Sequence, residues 1–313
     1  MNKKIKMAII SRDHDVYASL YYAHQFENAE LIRCSDTPSA ETLENAEVIL
    51  CEPDVAETFL LKCSALKWLQ STWAGNNALQ RCDKKDYLLT GVKEIFHDQI
   101  KEYVFAFILS YYRQLDTFKQ LKDKKHWKPV PGNRIKGLTL GVLGFGSVAQ
   151  ALIDAANVFG LNIIGLTNNG GLNSETKCLP SEERLLFASQ SDIVVNLLPD
   201  TEKTRGLCDT AFFEHMREGS LFINAGRGSV IDAPSTLIQA LDNEVIGAAV
   251  LDVFETEPLP SNHAFYHHPK ITITNHSAAI SKPEDVFQIF LENYERYIHR
   301  QSLLYVHDFD KGY

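Results

Sequence analysis

Short apolar runs alternate with longer stretches of helical periodicity along the whole chain. Polar or turn-forming residues bound each run, which is typical of strands buried in a sheet. The alternation indicates βαβ units and parallel sheets. The predicted strands cover residues 7–10, 48–51, 88–89, 138–143, 163–166, 193–198, 220–224, 248–253 and 271–274.

The spacing of the helical patterns predicts the domain organisation. A helical pattern at 99–121 leads into a polar stretch with prolines and a glycine at 122–137, which separates structural units. Another helical pattern at 283–301 follows the last predicted strand, and 313 residues fit two domains of ordinary size. We therefore predict two domains, a discontinuous one made of residues 1–100 with 281–313, and a second one made of residues 101–280.

Composition limits the class of partner. Apolar residues make up 45% of the chain and charged residues 23%, the ordinary balance of a globular protein. The net charge of -9 is spread without a long run of either sign. Such a charge disfavours a nucleic acid or an anionic membrane as a partner, so we expect a small molecule.

The N-terminus and the cysteines bear on location. The first apolar stretch ends before Ser11, and this stretch is too short for a signal-peptide core. No stretch approaches the roughly 20 apolar residues that span a bilayer, so we expect a cytoplasmic protein. The six cysteines are scattered and lack the spacing of a metal site, so reduced thiols and no metal are predicted.

A glycine turn follows the strand predicted at 138–143, in the pattern Gly144-x-Gly146-x-x-Ala149. The first glycine permits a tight turn, the second lets the backbone approach a pyrophosphate, and the alanine allows close helix packing. A helix beginning there offers free N–H groups to phosphates. This context favours a dinucleotide site over a structural turn, with contacts at Gly144, Phe145, Gly146, Ser147 and Val148. Residues 101–280 would then form the dinucleotide-binding domain, and the discontinuous domain would be the substrate domain.

The end of the next predicted strand bears on the choice between NAD and NADP. An acidic residue there would hold the ribose 2′-hydroxyl of NAD, but this chain has Thr167 and Asn168. Without the acid a 2′-phosphate is not repelled, so NADP(H) is favoured, although no arginine stands there to bind the phosphate. The alternative is that Asn168 and Asn169 only shape a turn.

Three further segments carry candidate chemistry: Asn224-Ala-Gly-Arg-Gly-Ser-Val-Ile-Asp, Leu251-Asp-Val-Phe-Glu-Thr-Glu-Pro-Leu-Pro and Thr274-Asn-His-Ser-Ala-Ala. With the glycine turn and the loops at 71–77 and 196–204, they resemble the D-isomer-specific 2-hydroxyacid dehydrogenase family, in particular its glyoxylate/hydroxypyruvate reductases. The resemblance extends over nearly the whole chain. It implies an α/β fold of two Rossmann-like doubly wound parallel-sheet domains, the first flavodoxin-like, with the active-site cleft between them.

The resemblance implies hydride transfer between NAD(P)H and C2 of a small 2-oxo acid or its D-2-hydroxy acid. Reduction needs a cation for the substrate and a proton donor for the developing alkoxide. Arg227 would bind the acid through its fork of donors, His276 would exchange the proton, and Glu257 would favour the protonated imidazole. Taken singly, they also fit a surface arginine, a loop acid and a structural histidine. Their joint occurrence in matching segments favours catalysis.

The resemblance also implies the remaining contacts. Asp252 would contact the nicotinamide or act as a structural cap, and Trp73 would line the substrate pocket or pack between domains. Further cofactor contacts are predicted at Leu198, Pro199, Thr204, Ala225, Gly226 and Asp252, and substrate contacts at Trp73, Ala74, Gly75 and Arg227. A homodimer is implied, with Tyr111, Tyr112 and Trp127 as candidate apolar contacts, although burial in the core is the simpler expectation for each.

Departures from the family pattern keep substrate preference open. Asn275 stands where the family usually has proline, and Asn77 where it usually has aspartate. One alternative function is a non-catalytic NAD(P)-binding sensor or corepressor, against which the three candidate catalytic residues argue. The other is a phosphoglycerate-type dehydrogenase, which would need extra cations, and none is clustered in sequence near residues 71–77.

Overall fold

The computed structural model of the protein describes residues 4–173 and 175–310. The chain separates into two units, one of Met1–Ile95 with Ser281–Tyr313 and the other of Phe96–Ile280. The first division lies at Ile95, a few residues before the position predicted from the sequence, because the helix that starts at His97 belongs wholly to the second unit. Among the described residues, no helix is long and apolar enough to cross a membrane.

The first unit is built on a parallel sheet. Its strands are β1 (Ile5–Ile10), β2 (Ala29–Ser35), β3 (Val48–Cys51), β4 (Trp68–Ser71) and β5 (Leu88–Thr90). Their order, β2-β1-β3-β4-β5, is flavodoxin-like, with the switch in strand order between β1 and β3. Its helices are α1 (His14–His24), α2 (Ala40–Leu43), α3 (Pro53–Glu57), α4 (Asn77–Gln80) and, after the second unit, α12 (Pro283–Ile298).

Helix α12 packs on the first unit through aromatic side chains. Phe290 of α12 stacks on Trp68 of β4 with ring centroids 5.2 Å apart. Phe287, also on α12, meets Tyr17 of α1 at 6.4 Å. All four side chains are buried, so α12 covers one face of the sheet with large apolar groups.

The second unit contains the larger sheet. Its strands are β6 (Thr139–Leu143), β7 (Asn162–Thr167), β8 (Asn169–Asn173), β9 (Thr176–Pro180), β10 (Ile193–Asn196), β11 (Ser220–Asn224), β12 (Ile246–Leu251) and β13 (Ile271–Ile273). Their order is β13-β12-β11-β10-β6-β7-β9-β8, parallel except for the β8–β9 pair. The run from β9 to β12 has the Rossmann order, with its switch point between β6 and β10.

Helices flank that sheet: α5 (His97–Tyr112), α6 (Leu115–Asp123), α7 (Ser147–Gln150), α8 (Leu152–Phe159), α9 (Arg184–Gln190), α10 (Thr210–Glu214) and α11 (Pro234–Asp242). The single helix predicted at 99–121 is wrong, because the chain breaks at Gln114, which has a left-handed φ of 60°. Strands β2, β4, β8 and β9 were not predicted, since they are short or rich in polar residues.

The three aromatic residues considered for a dimer differ in burial. Tyr112 is buried and Tyr111 is half-buried. Their hydroxyls donate to the backbone carbonyls of Asp192 and Gly219. Trp127 is 100% exposed, so the expectation of core burial is wrong for it.

Candidate active site

The predicted site residues of the second unit lie at one edge of its sheet. The register places the last residues of β6, β10 and β11 side by side, since Asn196 pairs with both Leu143 and Asn224. Asn224 pairs with Leu251 of β12, which in turn pairs with Ile273 of β13. The loops leaving these strands carry Gly144–Val148, Leu198 and Pro199, Ala225–Arg227, Asp252 and His276. Doubly wound sheets bind ligands at this carboxyl edge.

His276 and Glu257 form an ion pair. Nδ1 of His276 lies 2.6 Å from Oε2 of Glu257, whose Oε1 accepts the Phe254 backbone N–H at 2.8 Å. The hydrogen bond to the carboxylate raises the pKa of His276 above its ordinary value, although burial opposes the shift. Burial raises the pKa of Glu257, but the hydrogen bonds from His276 and Phe254 outweigh it and leave that pKa lowered.

The second nitrogen of His276 is the one left for chemistry. Nδ1 is engaged by Glu257, and no residue of the described chain is hydrogen-bonded to Nε2. The side chain of His276 is 53% exposed, so Nε2 is open to a ligand. The arrangement can deliver a proton from Nε2 while Glu257 holds the ring in place.

Asp252 holds the loop that carries His276. Its buried carboxylate accepts hydrogen bonds from the Thr274 hydroxyl and from the N–H groups of Ser277 and Ala278. Its backbone carbonyl also accepts the N–H of His276, at 2.6 Å. These bonds support the structural-cap interpretation of Asp252, and a contact with the nicotinamide stays a prediction.

The loop conformation accounts for the departure at residue 275. Asn275 and His276 both have left-handed backbones, with φ values of 55° and 56°. Asparagine tolerates this region, whereas the proline ring fixes φ at about −65°. The histidine loop therefore has a shape that the family's usual proline would exclude.

Arg227 lies in the loop after β11 and is half-buried. Its Nη1 donates to the Gly226 carbonyl at 2.6 Å. Burial lowers the pKa of Arg227, while the carboxylates of Glu257 and Asp200 raise it. Arginine starts from so high a pKa that the guanidinium stays charged.

Gly228 lets the arginine loop touch the glutamate loop. A Cβ on this residue would lie 2.0 Å from the Phe254 carbonyl carbon and 2.3 Å from the Glu255 nitrogen. Only glycine permits this approach of two backbones. Because Phe254 donates to Glu257, the contact couples the position of Arg227 to that of the ion pair.

A buried asparagine pair, which was not predicted as part of the site, ties two of these loops together. Asn196 Nδ2 donates to Asn224 Oδ1 at 2.8 Å, and both residues are fully buried. Asn196 Oδ1 accepts the Leu198 N–H, and Asn224 Nδ2 donates to the Arg227 carbonyl. The sequence signal that could have indicated this pair is an asparagine at the last position of each of two apolar strands, β10 and β11.

The glycine turn fits a dinucleotide phosphate. Gly144 has a φ of 85°, which favours glycine. A Cβ on Gly146 would meet nothing within 4 Å, so open space lies beside the backbone where a pyrophosphate would approach. Gly146 and Ser147 are exposed at the start of α7, and Ala149 is buried.

Several predicted cofactor residues have structural partners. Phe145 is buried, and its carbonyl accepts the Asn173 side chain at 2.7 Å. The Thr204 hydroxyl donates to the Pro199 carbonyl at 2.6 Å. The Thr167 hydroxyl accepts the Gly170 N–H at 3.1 Å. Phe145 and Thr204 therefore shape the loops.

The predicted substrate loop lies in the first unit, after β4. The Ser71 hydroxyl donates to the Trp73 carbonyl at 3.0 Å and accepts its N–H at 3.1 Å, which fixes the start of this loop before Ala74 and Gly75. Trp73 is 39% exposed, and the Arg12 guanidinium lies 5.7 Å from its ring centroid. The sequence showed no cation near this loop, because Arg12 follows a different strand.

Comparison with known proteins gives matches along the chain. Residues 105–278 match the model of the D-isomer specific 2-hydroxyacid dehydrogenase, NAD binding domain. A glyoxylate/hydroxypyruvate reductase A of Serratia proteamaculans is 33% identical over 187 residues. That match covers 59% of this chain and 59% of the relative's length.

Solved structures match over greater lengths. A D-isomer specific 2-hydroxyacid dehydrogenase family protein of Aeromonas salmonicida is 34% identical, with a TM-score of 0.92, and the match covers 98% of this chain and 100% of that one. A D-isomer specific 2-hydroxyacid dehydrogenase of Xanthobacter autotrophicus, in complex with NADPH and MES, is 26% identical, with a TM-score of 0.87. That match covers 99% of this chain and 100% of that one.

Proposed function

Because the chain belongs to the D-isomer specific 2-hydroxyacid dehydrogenase family, we propose that it reduces the C2 carbonyl of a small 2-oxo acid to the D-2-hydroxy acid. Glyoxylate and hydroxypyruvate are the proposed substrates, by analogy with the named reductase relative. The main observation in support of the proposal is the ion pair of His276 and Glu257, in which Nδ1 lies 2.6 Å from Oε2. Bound NAD(P)H supplies the hydride.

The residues of the second unit supply the binding and the proton. Arg227 binds the carboxylate and polarises the carbonyl oxygen, since its fork of donors matches such groups. His276 donates a proton from Nε2 to that oxygen as negative charge develops. Glu257 keeps the imidazole protonated and oriented, and it does not react itself.

The cofactor is proposed to lie along the carboxyl edge of the second sheet. The backbone of Gly144, Gly146 and Ser147 would hold the pyrophosphate, since the space beside Gly146 is open. The chain around Ala225 and Gly226 would border the nicotinamide. No metal ion is needed, because arginine and histidine supply the cation and the proton.

Replacing Glu257 by glutamine tests the ion pair through pH. Reduction requires protonated His276, so the rate falls as the pH rises through the pKa of that residue. The carboxylate raises this pKa; its loss lowers the pKa and moves the alkaline limb of the kcat profile to lower pH. The profile is measured with glyoxylate under saturating cofactor. An unmoved alkaline limb contradicts the role of Glu257.

The residues at the end of β7 support NADPH as the preferred donor. Thr167 and Asn168 carry no negative charge to repel a 2′-phosphate, and the Xanthobacter structure holds NADPH. We expect a higher kcat/KM with NADPH than with NADH, and Thr167→Asp should shift the preference toward NADH. Steady-state rates with NADPH and with NADH give the ratio of the two kcat/KM values for each protein. A tenfold preference of the unmodified protein for NADH overturns the assignment.

A homodimer is proposed because the second unit presents exposed apolar side chains. Helix α6 has no buried residue, and its Leu115 and Phe118 are 47% and 44% exposed. Trp127 follows and is fully exposed. Large exposed aromatic groups are typical of interfaces. Light scattering should give twice the chain mass, reduced toward one chain mass in Trp127→Ser, whereas a monomeric wild type contradicts the proposal.

A further inference from the structure

Helix α5 binds both ends of the segment that carries His276. The Tyr103 hydroxyl lies 2.8 Å from the hydroxyl of Thr274. The Gln99 side chain donates to the Ile280 carbonyl at 3.1 Å and accepts the Ile280 N–H at 2.9 Å. Gln99 and Tyr103 stand four residues apart in α5, so they lie on one face of the helix. One helix face therefore holds the segment on either side of the histidine.

The direction of the hydrogen bonds at Thr274 follows from their partners. The Asp252 carboxylate can only accept, so the Thr274 hydroxyl donates its one hydrogen to Asp252, at 2.5 Å. That hydroxyl must then accept from Tyr103. Burial raises the pKa of Tyr103, so its hydroxyl keeps the proton that it donates. A chain of hydrogen bonds thus runs from Tyr103 through Thr274 to a buried carboxylate, and such chains strengthen their members.

Asp252 connects this chain to the middle of the segment. The same carboxylate accepts the N–H groups of Ser277 and Ala278, at 2.8 and 3.0 Å. The Asp252 carbonyl accepts the N–H of His276. The imidazole meets Glu257, which stands on a different loop, so the 2.6 Å distance between Nδ1 and Oε2 depends on where this segment lies.

We propose that Tyr103 and Gln99 are positioning residues of the reduction, which hold His276 against Glu257 by clamping the histidine segment on α5. Both act through His276 rather than on the substrate. The inference rests on the proposed function, because it takes His276 as the proton donor. Loss of either clamping side chain lets the segment shift, which weakens the ion pair and lowers the pKa of His276 toward its ordinary value.

The charged groups around His276 determine what its pKa reports. Glu257 and Asp252 raise this pKa, and Arg227 lowers it. Glu257 is the carboxylate in hydrogen-bond contact, so a shift of the segment changes its contribution most. The two clamping side chains carry no charge. A fall in the pKa of His276 after their replacement therefore reports a displacement of the imidazole and not the loss of a neighbouring charge.

The test replaces each clamping side chain. Tyr103→Phe removes only the hydroxyl, and Gln99→Leu removes both bonds to Ile280. With glyoxylate and saturating NADPH, we expect each variant to lower kcat by about tenfold, the size expected of one hydrogen bond to the segment, and to move the alkaline limb of the kcat profile to lower pH. The affinity for NADPH should stay at the wild-type value. In the Glu257→Gln protein, Tyr103→Phe should move the alkaline limb no further, because the carboxylate partner is already lost.

NMR titration of the imidazole gives the pKa of His276 directly and needs no turnover, and comparison with His276→Ala assigns the signal. We expect a lower pKa in both clamp variants than in the wild type. The matched control is Tyr297→Phe, which removes the hydroxyl of another half-buried helical tyrosine, one that donates to Glu47 at 2.7 Å in the first unit. It should leave kcat and the pKa of His276 unchanged.

The outcomes separate the inference from the proposed function. A wild-type pKa of His276 and a wild-type alkaline limb in both Tyr103→Phe and Gln99→Leu overturn the inference, even if these variants melt at a lower temperature, because a purely structural role predicts that result. Failure of the wild type to reduce glyoxylate or hydroxypyruvate overturns the proposed function. The NMR titration then still decides whether the two side chains position His276.

Discussion

Replacing His276 by alanine is expected to lower kcat by roughly 10²- to 10⁴-fold, the usual span for loss of a general acid. Nδ1 of His276 is held by Glu257 at 2.6 Å, which leaves Nε2 as the donor for the developing alkoxide. The affinity for NADPH should change little, because the glycine turn lies on a different loop. Steady-state rates at saturating 2-oxo acid and NADPH give kcat, and fluorescence titration gives the affinity for NADPH.

The matched control for this prediction is His299→Ala. His299 also pairs with a glutamate, Glu295, at 3.8 Å, and is exposed in the first unit. Its replacement should leave kcat at the wild-type value. Near-full activity of His276→Ala with an unchanged pH profile would contradict this prediction, because a group other than His276 would then protonate the substrate oxygen.

Replacing Arg227 by lysine is expected to lower kcat/KM by roughly 10²- to 10³-fold, comparable with the loss of a donor to a developing oxyanion. Lysine keeps the charge but lacks the planar fork that binds two oxygens at once. The loss should appear in both KM for the 2-oxo acid and kcat, since the same group binds the substrate and polarises its carbonyl.

The conservative variant Arg217→Lys provides the control. Arg217 pairs with Asp192 at 2.8 Å in the same unit and is 46% exposed. Its replacement should leave both constants unchanged. If Arg227→Lys raised KM alone, Arg227 would bind the substrate without assisting the chemistry.

Local patterns were sufficient to predict most of the strands, whereas the candidate catalytic residues were predicted from the resemblance of their segments to a known family. The apolar runs that became β1, β3, β6 and β11 are buried on both faces of parallel sheets, so they appear as nearly continuous hydrophobic stretches. Within each sheet, the residues that follow such strands reach the same edge because these strands are parallel. Arg227 and His276, which the family resemblance indicated in separate segments, both follow strands that end at this edge.

Features that depend on contacts between distant segments were not predicted. The predicted helix is interrupted at Gln114, whose backbone is left-handed, and the hydrophobic periodicity does not indicate this break. Arg12 reaches Trp73 only because β1 and β4 flank β3, so their proximity in space has no counterpart in the sequence. The left-handed backbone of Asn275 lies in a loop that is hydrogen-bonded to the distant Asp252.

The most direct test of the proposed reaction is to incubate the purified protein with hydroxypyruvate and NADPH, following absorbance and analysing the product on a chiral column. The account predicts steady oxidation of NADPH with one equivalent of D-glycerate formed, and its loss in His276→Ala. Tight binding of NADPH without turnover of hydroxypyruvate or glyoxylate would contradict the account and favour a non-catalytic nucleotide sensor or a dehydrogenase of phosphorylated acids.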